Sequence, residues 1–162
     1  MRFYFLVLVL FSCSFNAISC SIAPGYQEFF PKPYYRNKNI TPSLPVAKVV
    51  SITRGHNDGN GGSCSDAGII KIQFDKVNPV ANTGYKLKIV KGKFEESVIP
   101  TKEIMPSTFT SIDNSMFFVW LDGGDNTQSP IDFTLEIVAI SPEGLESEPF
   151  YLQISDSGGK SG

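Results

Sequence analysis

Histidine occurs once in this 162-residue chain, tryptophan once and cysteine three times. A single imidazole removes the raw material of most zinc sites and of most histidine-based acid–base chemistry. Charge of one sign is also scarce. The formal net charge is −2, and without a cationic excess nothing points to nucleic acid as a partner. Long apolar runs are missing beyond the N-terminus, and no 3.6-residue period is sustained after it, so neither a helical bundle nor a multi-pass membrane protein is indicated. Charged residues are 19% and hydrophobic residues 41%, which sets the chain apart from disordered polyampholytes. The length suits one domain with a tail.

What is there begins with a leader. Arg2 is followed by an unbroken apolar run from Phe3 to Phe11, then by small residues. The run is too short to span a bilayer and reads as a signal peptide over residues 1–19. The localisation expected is therefore exported: periplasmic, outer-membrane-anchored or extracellular. Two forms of processing are open. Ala17-Ile18-Ser19 before Cys20 suits ordinary cleavage. The same stretch resembles a lipoprotein leader, in which Cys20 would be acylated, and Leu10-Phe11-Ser12 before Cys13 resembles one too. Cys13, Cys20 and Cys64 are thus candidates for lipidation or for a disulfide. Acylation of Cys20 would leave Cys64 alone, whereas ordinary cleavage would let Cys20 and Cys64 pair. Membrane contact is expected only through such an anchor.

Residues 20–44 read as an extended tail. Its prolines disfavour helix and internal strand, and Phe29, Phe30, Tyr34 and Tyr35 are too many aromatics for a solvated spacer, so some are expected to pack back on the domain. From residue 45 the period becomes two. Strands are expected at 46–53, 69–75, 84–91, 97–100, 115–121, 132–140 and 149–154, with turn residues between them. Ile70, Ile72 and Phe74 share one face, as do Tyr85, Leu87 and Ile89. Residues 157–162 are polar and glycine-rich, and read as a mobile end. The fold class expected is all-β, a single seven-stranded antiparallel sandwich over residues 45–156.

The order of these residues resembles a fibronectin type III domain, within the immunoglobulin-like sandwiches, in its bacterial form. Phe133-x-Leu135-x-Ile137-x-Ala139 followed by Pro142-Glu143-Gly144-Leu145-Glu146-Ser147-Glu148-Pro149 is similar to the family's last hairpin. Phe74 stands where the family places Trp, Gly84-Tyr85 resembles its third-strand opening, and Leu121 is similar to the Leu before its corner. Phe133 replaces the corner Tyr, so the hydroxyl bond across that turn is absent. The resemblance implies a fold and leaves function open.

Candidate chemistry is thin. His56 lies in a glycine-rich loop without a nucleophile elbow in the sequence, and reads as an exposed loop residue. Asp58, Asn60, Ser63 and Asp66 form an oxygen-rich stretch, but the EF-hand pattern counted from Asp58 places Ile69 at its glutamate position. Asp58, Asn60 and Asp66 are therefore only weak calcium candidates, and Asp122, Asp125 and Asn126 have the same standing. No metal or other cofactor is expected. The adjacent Glu95 and Glu96 would point opposite ways on a strand, which is poor geometry for an acid–base pair.

The feature singled out for function is the segment 116–121. With Leu121 set inward, Phe117 and Val119 join it in the core, and Met116, Phe118 and Trp120 line the outer face as a binding stripe. The function expected is non-catalytic: an exported binding module that presents a sheet face or loops to a protein or glycan. The alternative is an accessory domain or inhibitor of an extracytoplasmic hydrolase.

Overall fold

The computed structural model describes residues 22–32, 41–60, 63–75, 83–95, 97–107, 113–122 and 128–159. Eight strands run through them: β1 (Tyr26–Glu28), β2 (Ala47–Thr53), β3 (Ala67–Phe74), β4 (Gly84–Lys93), β5 (Ile104–Pro106), β6 (Ser115–Leu121), β7 (Ile131–Ile140) and β8 (Phe150–Asp156). One sheet has the order β1-β5-β4-β7-β8 and the other β2-β3-β6, and every pairing is antiparallel. The expected all-β architecture of two antiparallel sheets is present, with one strand more than the sequence suggested.

Alternation explains the layers. In β3 the odd residues are half-exposed while Ile70, Ile72 and Phe74 are buried. In β7 Phe133, Leu135, Ile137 and Ala139 point inward in the same way. The two inner faces meet in one cluster, closed by aromatic contacts between Phe74 and Tyr85 at 4.5 Å and between Phe94 and Phe133 at 5.0 Å. Each large side chain removed from water in this way stabilises the fold by about 2 kcal/mol before entropy is counted.

Two expectations are corrected. Residues 97–100 form a turn rather than a strand: Ser97 has φ of 77°, and the Val98 N–H bonds the Glu95 carbonyl. Val98 is buried, so the segment acts as an apolar plug, and Pro100 gives it no N–H for a ladder. The strand expected there forms at β5 instead. The tail also supplies a strand, β1, which pairs with β5.

That strand seals the open side of the sandwich. The Gly25 carbonyl accepts from the Ser107 N–H at 2.8 Å just beyond β5, and the Pro24 carbonyl accepts from the Phe117 N–H of β6 at 2.7 Å. The tail therefore bonds the edges of both sheets, which hides unpaired strand groups from other chains. Tyr26 stacks on Phe118 at 5.6 Å. Phe29 is buried against Gly84, where a Cβ would collide with its ring. Packing of the tail aromatics onto the domain is thus seen at Phe29. Phe30 is exposed, and Tyr34 and Tyr35 lie outside the described residues.

Phe29→Ala is expected to cost about 3 kcal/mol in urea denaturation, and Gly84→Ala to destabilise by displacing the same ring. An unchanged midpoint in Phe29→Ala would show that the tail does not pack on the domain.

Candidate functional site

The sequence-derived stripe is inverted. Met116, Phe118 and Trp120 are 0%, 1% and 6% exposed, so all three face the core, and the outward triplet is Phe117, Val119 and Leu121. The residues alternate as expected, but in the opposite phase. Leu121 ends the strand opposite Ala67 with the outward parity of Phe117 and Val119, and it is 70% exposed. Its proposed correspondence to an inward family leucine fails with it. The phase is fixed elsewhere: Trp120 pairs with Gly68 in register, and its ring occupies the space that a Cβ on Gly68 would fill. Trp120 also meets Phe94 edge-on at 5.2 Å.

The solvent side of this sheet carries Ile69 between Thr53 and Val119, and Lys71 between Ser51 and Phe117. The Lys71 ammonium lies 5.5 Å from the centre of the Phe117 ring. Phe117, Val119 and Ile69 are half-buried and Leu121 projects beyond them. The result is a short apolar row with a cation beside it.

The strongest polar cluster was not foreseen as a unit. Antiparallel order brings the ends of β2, β6 and β8 to one pole. Arg54, just after β2, donates from Nε and Nη2 to both carboxylate oxygens of Asp122, at 2.7 and 3.0 Å, and from Nη1 to Asp156 at 2.8 Å. Its Nη2 also donates to the Ser129 carbonyl, and the Gly55 N–H donates to Asp122. The guanidinium sits 6.0 Å from the Trp120 ring centre. The Arg54 and Asp122 side chains are about nine-tenths buried, so one fork joins the three-stranded sheet to β8. Burial pushes the Asp122 carboxyl up, but the Arg54 fork and the Gly55 N–H outweigh it and hold the group below its usual range. Asp156 is lowered by the Gly158 N–H and by Arg54, and Arg54 is raised by its two acids. The signal in sequence was an Arg directly after one strand and an Asp directly after another that ends at the same pole.

The glycine-rich loop is folded by its own hydrogen bonds. The His56 N–H bonds the Ser65 carbonyl, and Cys64–Asp66 form one 3-10 turn. Asp58 is exposed, and its carboxyl is held at about 2 by the hydroxyl of Ser65, the backbone N–H of Asn60 and the hydroxyl of Ser63. Asp66 is buried while Asp58 is not, and His56 is exposed. Among the described residues no three His, Cys, Asp or Glu side chains are grouped to hold a metal ion. Cys64 is disulfide-bonded. Cys13, Cys20, Glu96, Asp125 and Asn126 lie outside the described residues.

Two outcomes follow at the Arg54 pole. Asp122 and Asp156 have lowered pKa values in the fold, so the unfolded chain binds more protons in acid. Their stabilisation is complete above about pH 4 and is lost as pH falls through the folded values. The slope of stability against pH below that point should be shallower in Asp122→Asn/Asp156→Asn than in the parent, and an unchanged slope would contradict the assignment. Arg54→Leu should cost about 3 kcal/mol at pH 7, since it leaves a buried carboxylate unpaired. No family model, curated protein or solved structure matches the chain.

Proposed function

We propose that the chain is an exported, non-catalytic binding module of the fibronectin III type, which presents an outer sheet face to a protein or glycan. The observation that carries this reading is the outward row on the three-stranded sheet. Leu121 is 70% exposed at its end, next to half-buried Val119, Phe117 and Ile69. A soluble domain gains nothing in stability from a large apolar side chain left in water, and such a row with a lysine beside it is the kind of surface that binding uses.

The family reading has its own support. The order β2-β3-β6 against β5-β4-β7-β8 is compatible with a fibronectin III sandwich, to which β1 would be an addition. Gly84-Tyr85 opens β4, and Tyr85 packs on Phe74. The Pro142-Glu143-Gly144 turn joins β7 towards β8, with Gly144 at φ of 84° and its N–H on the Ser141 carbonyl. The apolar leader behind Arg2 supports export. The oxidised state of Cys64 supports it too, because disulfides persist outside the reducing cytosol.

Leu121→Glu with Val119→Thr should abolish capture of a partner found with the parent protein, on a glycan array or by cross-linking at the cell surface. The change in stability should stay within about 0.5 kcal/mol, as for ordinary surface substitutions. Undiminished capture by this variant would remove the face from the account. In the mature protein, Cys64 should resist alkylation until a reductant is added, and labelling without one would contradict the oxidised state.

A further inference from the structure

The four sheet edges are not equally protected. β1 is three residues long, and the free side of β6 is bonded by the Pro24 carbonyl. β2 carries Lys48 and breaks register between Val49 and Ser51. Short length, lysine and bulges all blunt an edge against other strands. β8 has none of these. Its seven residues, Phe150 to Asp156, pair with β7 without a shift and include no proline, glycine or lysine. Their one charge, Asp156, is bonded to Arg54. Among the described residues no strand pairs with the far side of β8.

The surroundings of this edge are apolar. β2 runs alongside β8 in the other sheet and is tied to it at one end by Arg54. Leu44 and Val46 precede β2, and Val50 is the residue that its register shift leaves without a partner on β3. These three and Tyr151 of β8 are four of the seven large hydrophobic side chains that the described residues leave exposed. On the inner side of β8, Ile154 is buried but Phe150 and Leu152 are only half-buried. A strand added to β8 would continue the sheet and cover that apolar flank.

We infer that the occupant is β8 of a second copy, paired antiparallel across a two-fold axis. Residues directly opposite in an antiparallel pair share a face, and the register centred on Gln153 is the one that meets this condition and pairs all seven residues. It sets Leu152 opposite Ile154 on the inner face, Tyr151 opposite Ser155 on the outer face, and Gln153 opposite its own image. Asp156 meets Phe150, so no like charges face each other. A parallel second copy would set Asp156 beside its own image and run the inner face of one sheet into the outer face of the other. The antiparallel axis also brings the two β2 edges towards each other, so the apolar flank of one copy meets that of the next. The interface is isologous and closes at two chains. Because its axis stands normal to the sheet, both three-stranded sheets lie on one side of the joined sheet, and both Leu121 rows face the same way. The dimer thus presents the proposed binding face twice to one surface. That consequence rests on the binding-module reading, whereas the pairing itself does not.

The test is sedimentation of the mature protein at rising concentration, up to about 1 mM. It needs no ligand, so its outcome is separate from that of the Leu121 face. The parent should pass from one chain to two and go no further. Gln153→Lys sets a lysine against its own image and should weaken association by about tenfold or more. Thr101→Lys adds the same charge at an exposed position before β5 and should keep association within about twofold. Both variants should melt at the parent temperature. A mixture of Gln153→Lys with Gln153→Glu should associate again, because opposite charges then meet at the axis. Under mild oxidation Gln153→Cys should link two copies, since directly opposite residues stand about 5 Å apart. The proposal is overturned if the parent stays a single chain throughout, if it grows into open polymers, if Gln153→Lys associates as the parent does, if the mixture fails to associate, or if Gln153→Cys gives no linked dimer.

Discussion

A β-strand shows alternate residues to opposite sides, and a sheet in a sandwich must hide one of those sides. Which side it hides is a single binary choice for each strand, and here it determines nearly everything else. In β6 the choice places Met116, Phe118 and Trp120 against the opposite sheet and leaves Leu121 to solvent. Packing across the layers enforces it, because the Trp120 ring takes the space left by Gly68 and is wedged by Phe94. A shift of β6 by one residue would turn that ring to solvent together with Met116 and Phe118, and would leave the space beside Gly68 unfilled.

The rest of the architecture protects that choice at the margins. On one side of the sandwich the tail bonds β5 through β1 and β6 through Pro24. At one pole Arg54 grips acids that follow β6 and end β8, and so links the sheets where no ladder connects them. Buried forks of this kind depend on complete pairing. The phase changes within a strand at irregularities in β2, between Val49 and Ser51, and in β4, between Ile89 and Lys91. Ile89 and the residues before it serve the core by one parity, and the lysines beyond it reach solvent by the other.

The two-sheet antiparallel architecture was legible in the sequence because apolar segments of strand length recur between turn residues, several of them with period two. β3 and β7 were readable almost residue by residue. The phase of β6 was not, since Met-Phe-Phe-Val-Trp-Leu is apolar at every position and alternation alone offers two equal answers. Contacts distant in sequence, Trp120 with Gly68 and Tyr26 with Phe118, decide between them. β1 and β5 were missed for a related reason: each is a three-residue strand with proline at its end or nearby, and each pairs with a strand distant in sequence or separated by a long connection. The Arg54 fork depends on strand ends brought together by topology, which local patterning does not encode.

The two outer faces that result differ in chemistry. One carries a short apolar row, the other the lysines of β4 alongside Glu136, Thr134 and Asp132 of β7, and both exist only because of how their strands are phased. The chain's single tryptophan reports on that phasing directly. Its fluorescence in the native protein should be blue-shifted and shielded from acrylamide, and should move to the red with full quenching only on unfolding. Emission from native Trp120 that is already red and freely quenched would place the ring in water and contradict the account.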